Sequence, residues 1–196
     1  MNSRRSQRVN DAPGYLLHAA SWKETSLIIQ VFTRDHGIGT LVAKGAKRPY
    51  SVLRPVLSAF QPLALSCSGT GEVKTLVRAE SLGIRPLKGR ALMSAWYLNE
   101  LLLRLLPRED AHETLYDAYD NALLQLAGGS RAAGALRRFE WVLLAETGYG
   151  LDEAMPDFDD IAIEPELRQS LRTRLDELLA GQPLKTRKVL MELQRF

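Results

Sequence analysis

The runs SLIIQVFT (Ser26 to Thr33) and IGTLVA (Ile38 to Ala43), joined by RDHG (Arg34 to Gly37), decide the fold class. Both runs are short and rich in Leu, Val and Ile, and the four residues between them sit at hairpin distance, with a glycine that permits the positive φ such turns need. The same pattern extends in both directions. Gly14 to Ala20 reads as a strand before them, and Phe60 to Ser66 and Glu72 to Ala79 as two more after them, the last pair joined by Ser68-Gly69-Thr70-Gly71 as a second hairpin. Lys44 to Ala59, between the third and fourth runs, is a long basic link ending in SVLRPVLSA, a short helical or irregular connection. Five short strands with a longer link after the third match the small Greek-key barrel called the OB-fold, although other small barrels share the strand count.

After Pro86 the period changes to that of helices. Leu98, Leu101, Leu102 and Leu105 repeat on one face before Pro107. Asp110 with Glu113 three residues later has the spacing of an N-terminal cap, followed by Leu115, Ala118, Tyr119, Ala122 and Leu126, and by Gly128-Gly129 as a stop. A third helix is expected from about Arg131 to Thr147, a fourth from about Glu164 to Ala180, and a short last one after Pro183. The expected class is therefore α+β. A five-stranded OB-fold barrel occupies residues 1–85, with 1–12 as a flexible basic tail, and an all-helical domain occupies 86–196.

The 196-residue chain carries a net charge of only +3, but the charge is unevenly placed. Residues 1–90 hold 14 Lys or Arg against 5 Asp or Glu, and the remainder 12 against 18, so the halves stand at +9 and −6. The basic half suits a polyanion, with a merely solvated basic surface as the bland alternative. Leu101 to Leu106, the longest strongly apolar stretch, is broken by Arg104 and far too short for a membrane span. No apolar run follows Arg4, Arg5 and Arg8 to form a signal-peptide core, so a cytoplasmic protein is expected. Cys67 is the only cysteine, which excludes an intrachain disulfide and a multi-cysteine zinc site.

An enzyme should leave a trace of its chemistry, yet no phosphate loop, nucleophile elbow or ligand cluster is legible. Gly39 to Lys44 lacks the Gly-Lys-Ser/Thr ending of a phosphate loop and reads as strand. His18, His36 and His112 lie in different elements, and Asp157, Asp159 and Asp160 lack the glycine and distal glutamate of a calcium loop, so no metal or other cofactor is expected. What stands out is cationic. Arg34 in the first hairpin and Lys44, Lys47, Arg48 and Arg54 in the link could share one barrel rim, where cations track phosphates and aromatics stack on bases. Tyr50, within the link, is the stacking candidate; Phe60 opens a strand and reads as core, and Trp22 is undecided. Trp96, Tyr97, Tyr119, Phe139 and Trp141 have core spacing. Arg137 and Arg138 either flank a groove for a partner's carboxylates or form surface ion pairs with Glu140 or Glu113.

Taken together, GYLL at Gly14, ETSLI at Glu24, FTRDHG at Phe32 and AKGAKR at Ala43 resemble, in order and spacing, the start of the bacterial RecO family. The resemblance continues through LSAFQPL at Leu57, AWYLNEL at Ala95, LRRFE at Leu136 and GYG at Gly148, and reaches GQPLKTR at Gly181. It implies a non-catalytic recombination mediator in DNA repair. Such a protein binds single- and double-stranded DNA, anneals complementary strands, and partners RecR, sometimes with RecF, to load RecA. It also implies that the helical domain binds the acidic C-terminal tail of single-stranded DNA-binding protein, which favours the functional reading of Arg137 and Arg138. The family's basic barrel surface corresponds to Arg34, Lys44, Lys47 and Arg48. Many relatives carry a four-cysteine zinc module after the third helix; here Leu151 to Ile163 is short, acidic and cysteine-free, so that module is absent. The competing reading is a protein adaptor whose barrel docks partners and whose charge keeps it soluble.

Overall fold

The computed structural model describes residues 7–129, 131–150 and 153–193. Five strands close into a barrel: β1 (Gln7–Trp22), β2 (Ser26–Thr33), β3 (Gly37–Ala43), β4 (Pro62–Gly69) and β5 (Val73–Ser81), in the order β1-β2-β3-β5-β4. All neighbours are antiparallel except β3 and β5, which pair in parallel over only three positions, Thr40 to Val42 against Val73 to Thr75. This is the OB topology that the strand pattern and the long link anticipated. Leu16, Ile29, Val31, Leu41, Leu63 and Leu65 fill the interior, and full burial of each such side chain is worth roughly 1.5–3 kcal/mol.

One expectation about the first strand needs correction. Gln7 to Ala12, expected as part of a flexible tail, is already strand and pairs with Leu65 to Gly69 of β4; residues 1–6 of that tail lie outside the described residues. The strand was hidden because its residues are polar and its alternation is broken by a bulge between Val9 and Ala12, where Asp11 takes φ +48° and donates its amide to Ser66 Oγ at 2.9 Å.

The link after β3 is built around one buried alanine. Ala46, 2% exposed, packs into the barrel core, as do Leu53, Val56 and Leu57 in part; the latter belong to a single-turn helix α1 (Leu53–Val56) and its end. The Lys47 amide bonds Thr25 O at 2.9 Å, which ties the link to the β1–β2 turn.

The barrel unit also includes Pro107–Glu113, a strap that returns to it after the first long helix. Arg108 bridges Ile38, the Glu109 amide bonds Ile38 O at 3.0 Å, Glu109 pairs with Lys74, and Glu113 pairs with Arg34 at 2.7 Å.

The second unit comprises Pro86–Leu106 and the chain from Thr114 onward. Its helices are α2 (Gly89–Leu105), α3 (Glu113–Ala127), α4 (Ala132–Glu146), α5 (Glu164–Leu178) and α6 (Lys185–Leu193). Since α3 begins at Glu113 itself, Asp110 and Glu113 are not the cap and third-residue pair their spacing suggested; both belong to the strap. Leu98, Leu101, Leu115, Tyr119, Phe139, Leu143 and Leu171 are fully buried. Of the five aromatics expected in this core, Trp96 is the exception at 38% exposed. No described helix is long and apolar enough to cross a membrane.

Candidate nucleic-acid interface

Lys44 follows the last residue of β3, and the tight turns after it set the directions of the next side chains. The Ala46 amide bonds Ala43 O at 3.4 Å and the Arg48 amide bonds Gly45 O at 3.0 Å. With Ala46 held inside, Lys44, Lys47, Arg48 and Tyr50 are all exposed, and Arg54 is exposed on α1. Among the described residues no acid pairs with any of these four cations. Unneutralised cations on a surface loop produce the local positive field a polyanion requires.

Lys44, Arg48 and Tyr50 line one groove of roughly 630 Å³ together with Val52, and its far wall is Val77 and Arg78 of β5. Tyr50 is 99% exposed, Val52 81% and Val77 55%. Arg78 was not anticipated. It belongs to a strand that pairs with β3 only before this point, so its approach to the link follows from the barrel's closure and carries no local sequence signal. Its guanidinium is held by Glu80 at 2.5 Å and lies 3.9 Å from Asp11. Trp22, left undecided by the sequence, is 45% exposed beside the β1–β2 turn that the link touches, and Phe60 is buried as expected.

Arg34 does not join this cluster. It precedes β3 whereas Lys44 follows it, so the seven residues of the strand, about 20 Å at 3.3 Å per residue, separate the two. Its charge is met by Glu113 at 2.7 Å and by Asp35 at 3.8 Å. The single shared rim therefore reduces to the link.

In the helical unit the adjacent arginines part company. Arg137 is 7% exposed and bonds Glu140 Oε1 at 2.8 Å, and Tyr97 donates to the same oxygen at 2.7 Å. Burial pushes the Glu140 carboxyl up against the pull of Arg137 and Tyr97, while burial and then Glu140 push the Tyr97 phenol well above its ordinary value. Arg137 is thus a core ion pair, neither the surface pair nor the partner contact expected. Arg138 is half-buried, its guanidinium 4.9 Å from the ring centre of Phe158. Asp157 and Asp160 accept backbone amides of Asp159 and Ala162 at 3.0 and 2.8 Å, as turn-forming carboxylates do.

A closed barrel of OB topology with a cation-rich link, followed in the chain by a helical unit, places the protein in the class of OB-fold proteins with a basic barrel. The comparisons narrow that class. The model for the N-terminal part of recombination protein O matches residues 9–85, and the model for its C-terminal part matches 87–154. The DNA repair protein RecO of Aromatoleum aromaticum is 44% identical over 97% of this chain and 98% of its own length. That of Cupriavidus metallidurans is 42% identical over 98% of this chain and 80% of its own, and that of Cupriavidus pinatubonensis 57% identical over 76% and 52%. The chain belongs to the RecO family, whose members act in DNA repair and recombination. The alignment with the Aromatoleum protein runs over 236 positions although this chain has 196 residues, so that relative holds residues with no counterpart here.

Proposed function

We propose that this chain is a non-catalytic recombination mediator of the bacterial cytoplasm. Its barrel binds single- and double-stranded DNA through Lys44, Lys47, Arg48, Arg54 and Tyr50. It anneals complementary strands and cooperates with RecR, and with RecF in pathways that use it, to load RecA. The observation that carries the reading is the group of exposed cations, without acid partners among the described residues, around an exposed tyrosine on a single link of an OB barrel, in a chain of the RecO family. Because these side chains present charge and no base-reading geometry, binding follows the phosphate backbone and falls with salt. The helical unit recruits the acidic tail of single-stranded DNA-binding protein. Arg138, and not Arg137, is the cation available for that tail, since Arg137 is committed to Glu140.

Fluorescence anisotropy of a labelled single strand against salt tests the barrel assignment. Changing Lys44, Lys47 and Arg48 together to alanine weakens binding and lowers the salt slope by about 2 units, at roughly 0.7 per lost phosphate contact. An unchanged slope moves the DNA contact elsewhere. Binding that is absent or salt-insensitive in the unaltered protein favours the adaptor reading.

A further inference from the structure

We propose that the end of the barrel where β3 begins is a binding pocket for a small ligand made of one apolar ring and a cationic head. The link leaves β3 at its other end, so this pocket is independent of the DNA-binding reading. It is a cavity of about 210 Å³ that lies wholly within the barrel unit, walled by Val31, Leu41, Leu65 and Cys67 and bordered by the strap at Glu109 and Ala111.

The cavity has a cause in the sequence. Along β3 the alternate residues Gly39, Leu41 and Ala43 share a face, and Leu41 and Ala43 are part of the barrel core. Gly39 takes the next position on that face, opposite Val31, without a side chain. A Cβ there would meet only Val31 Cγ2, at 3.9 Å, among the described residues. Protein interiors normally fill such a position, because unfilled apolar space forfeits packing. Cavities of about 150 Å³ with aliphatic walls take up a benzene ring, so this one has room for a ring of that size.

The walls and the mouth select the ligand's chemistry. Cys67 is 8% exposed, and burial pushes its thiol up against the pull of Lys74, so it adds no charge to the wall. Apart from His36, the charged groups lining the pocket are Asp35, Glu109 and Lys74, two acids to one cation. Asp35 and Glu109 are half-exposed, whereas the Lys74 side chain is only 15% exposed and already pairs with Glu109. Arg34 lies 3.8 Å from Asp35 but is held more closely by Glu113, at 2.7 Å. A ligand carboxylate would have to take Lys74 from Glu109 and lie against the acid it displaced. A ligand ammonium meets Glu109 and Asp35 at the mouth and leaves the Lys74 pair intact.

The test uses the full chain with phenethylamine and phenylacetate as probes. Two readouts are followed: the rate at which a methanethiosulfonate modifies Cys67, the only cysteine of the chain, and the thermal unfolding midpoint. At a concentration about ten times its Kd, phenethylamine is expected to slow the modification about tenfold and to raise the midpoint, while phenylacetate at the same concentration does neither. Gly39→Leu fills the pocket, so it should protect Cys67 without any ligand and abolish the midpoint shift with phenethylamine. A midpoint without ligand at or above that of the unaltered chain shows that this variant folds. Glu109→Gln keeps the ring site but should erase the preference for the amine over the acid. Equal effects of the two probes, a phenethylamine shift that persists in Gly39→Leu, or no shift up to the solubility of the amine each overturn the proposal. Should Gly39→Leu fail to fold, an amine preference retained in Glu109→Gln overturns it instead.

Discussion

Gly37 holds φ +65°, and a Cβ there would stand 1.8 Å from the Asp110 carbonyl oxygen. Two constraints meet at one residue: a left-handed turn conformation and the close passage of the strap. Gly37→Ala is therefore expected to destabilise the fold by about 2 kcal/mol or more, read as a lowered urea midpoint. The turn glycine was legible from the hairpin pattern, but the steric reason was not, because Asp110 lies far along the chain. Arg137 makes a similar point. Its i,i+3 spacing to Glu140 is visible in the sequence, but the burial that makes the pair consequential comes from tertiary packing. Arg137→Ala leaves a carboxylate buried without its cation and should cost about 3–5 kcal/mol, whereas replacing both partners by apolar residues of similar volume should recover most of that loss in the same unfolding measurement.

At the scale of elements, the short helix α6 is held by an acid from another helix. Glu100 of α2 accepts the amides of Lys185 and Thr186, each at 2.9 Å, and the Thr186 hydroxyl at 2.7 Å, so it supplies the cap that the start of α6 lacks. Burial works against the Glu100 charge, but the bonds from Thr186 and Lys185, with Arg104 nearby, outweigh it and hold the carboxyl below its ordinary value of 4.5. A depressed pKa means that the stabilisation is complete above the unfolded value and is lost as pH falls through the folded one. Glu100→Gln should thus lower the urea midpoint at neutral pH, by an amount worth about 1–2 kcal/mol, and the gap to the unaltered chain should narrow as pH falls below 4.5 and close once it has passed through the lowered folded-state value. The closing segment from Gly181 to Arg187 was identified only by resemblance; its packing against Glu100 supplies a structural role for it. Elements defined by local signals, such as the hairpins and the glycine-terminated helices α3 and α4, were legible. The first six residues of β1 were not, since their partner strand decides their conformation.

For the whole molecule, the uneven charge of the two halves was the most informative global feature, and it pointed to the half of the chain in which Lys44, Lys47, Arg48 and Arg54 stand exposed without acid partners among the described residues. It could not exclude Arg34, because counting charges along the chain does not show that Glu113 folds back to neutralise it. Nor could it find Arg78, which reaches the groove only when the barrel closes.

The strap gives the order of synthesis a role. Residues that secure Gly37, Ile38, Lys74 and Arg34 are translated after the whole of α2, so the five strands are all available on a growing chain before the segment that fastens them. The barrel of a nascent chain remains unfastened until Glu113 has left the ribosome, and α2 must emerge ahead of the residues that complete the unit before it. The two units are thus made as interleaved pieces, and a clean cut after Arg85 yields a barrel that never acquires its fastening.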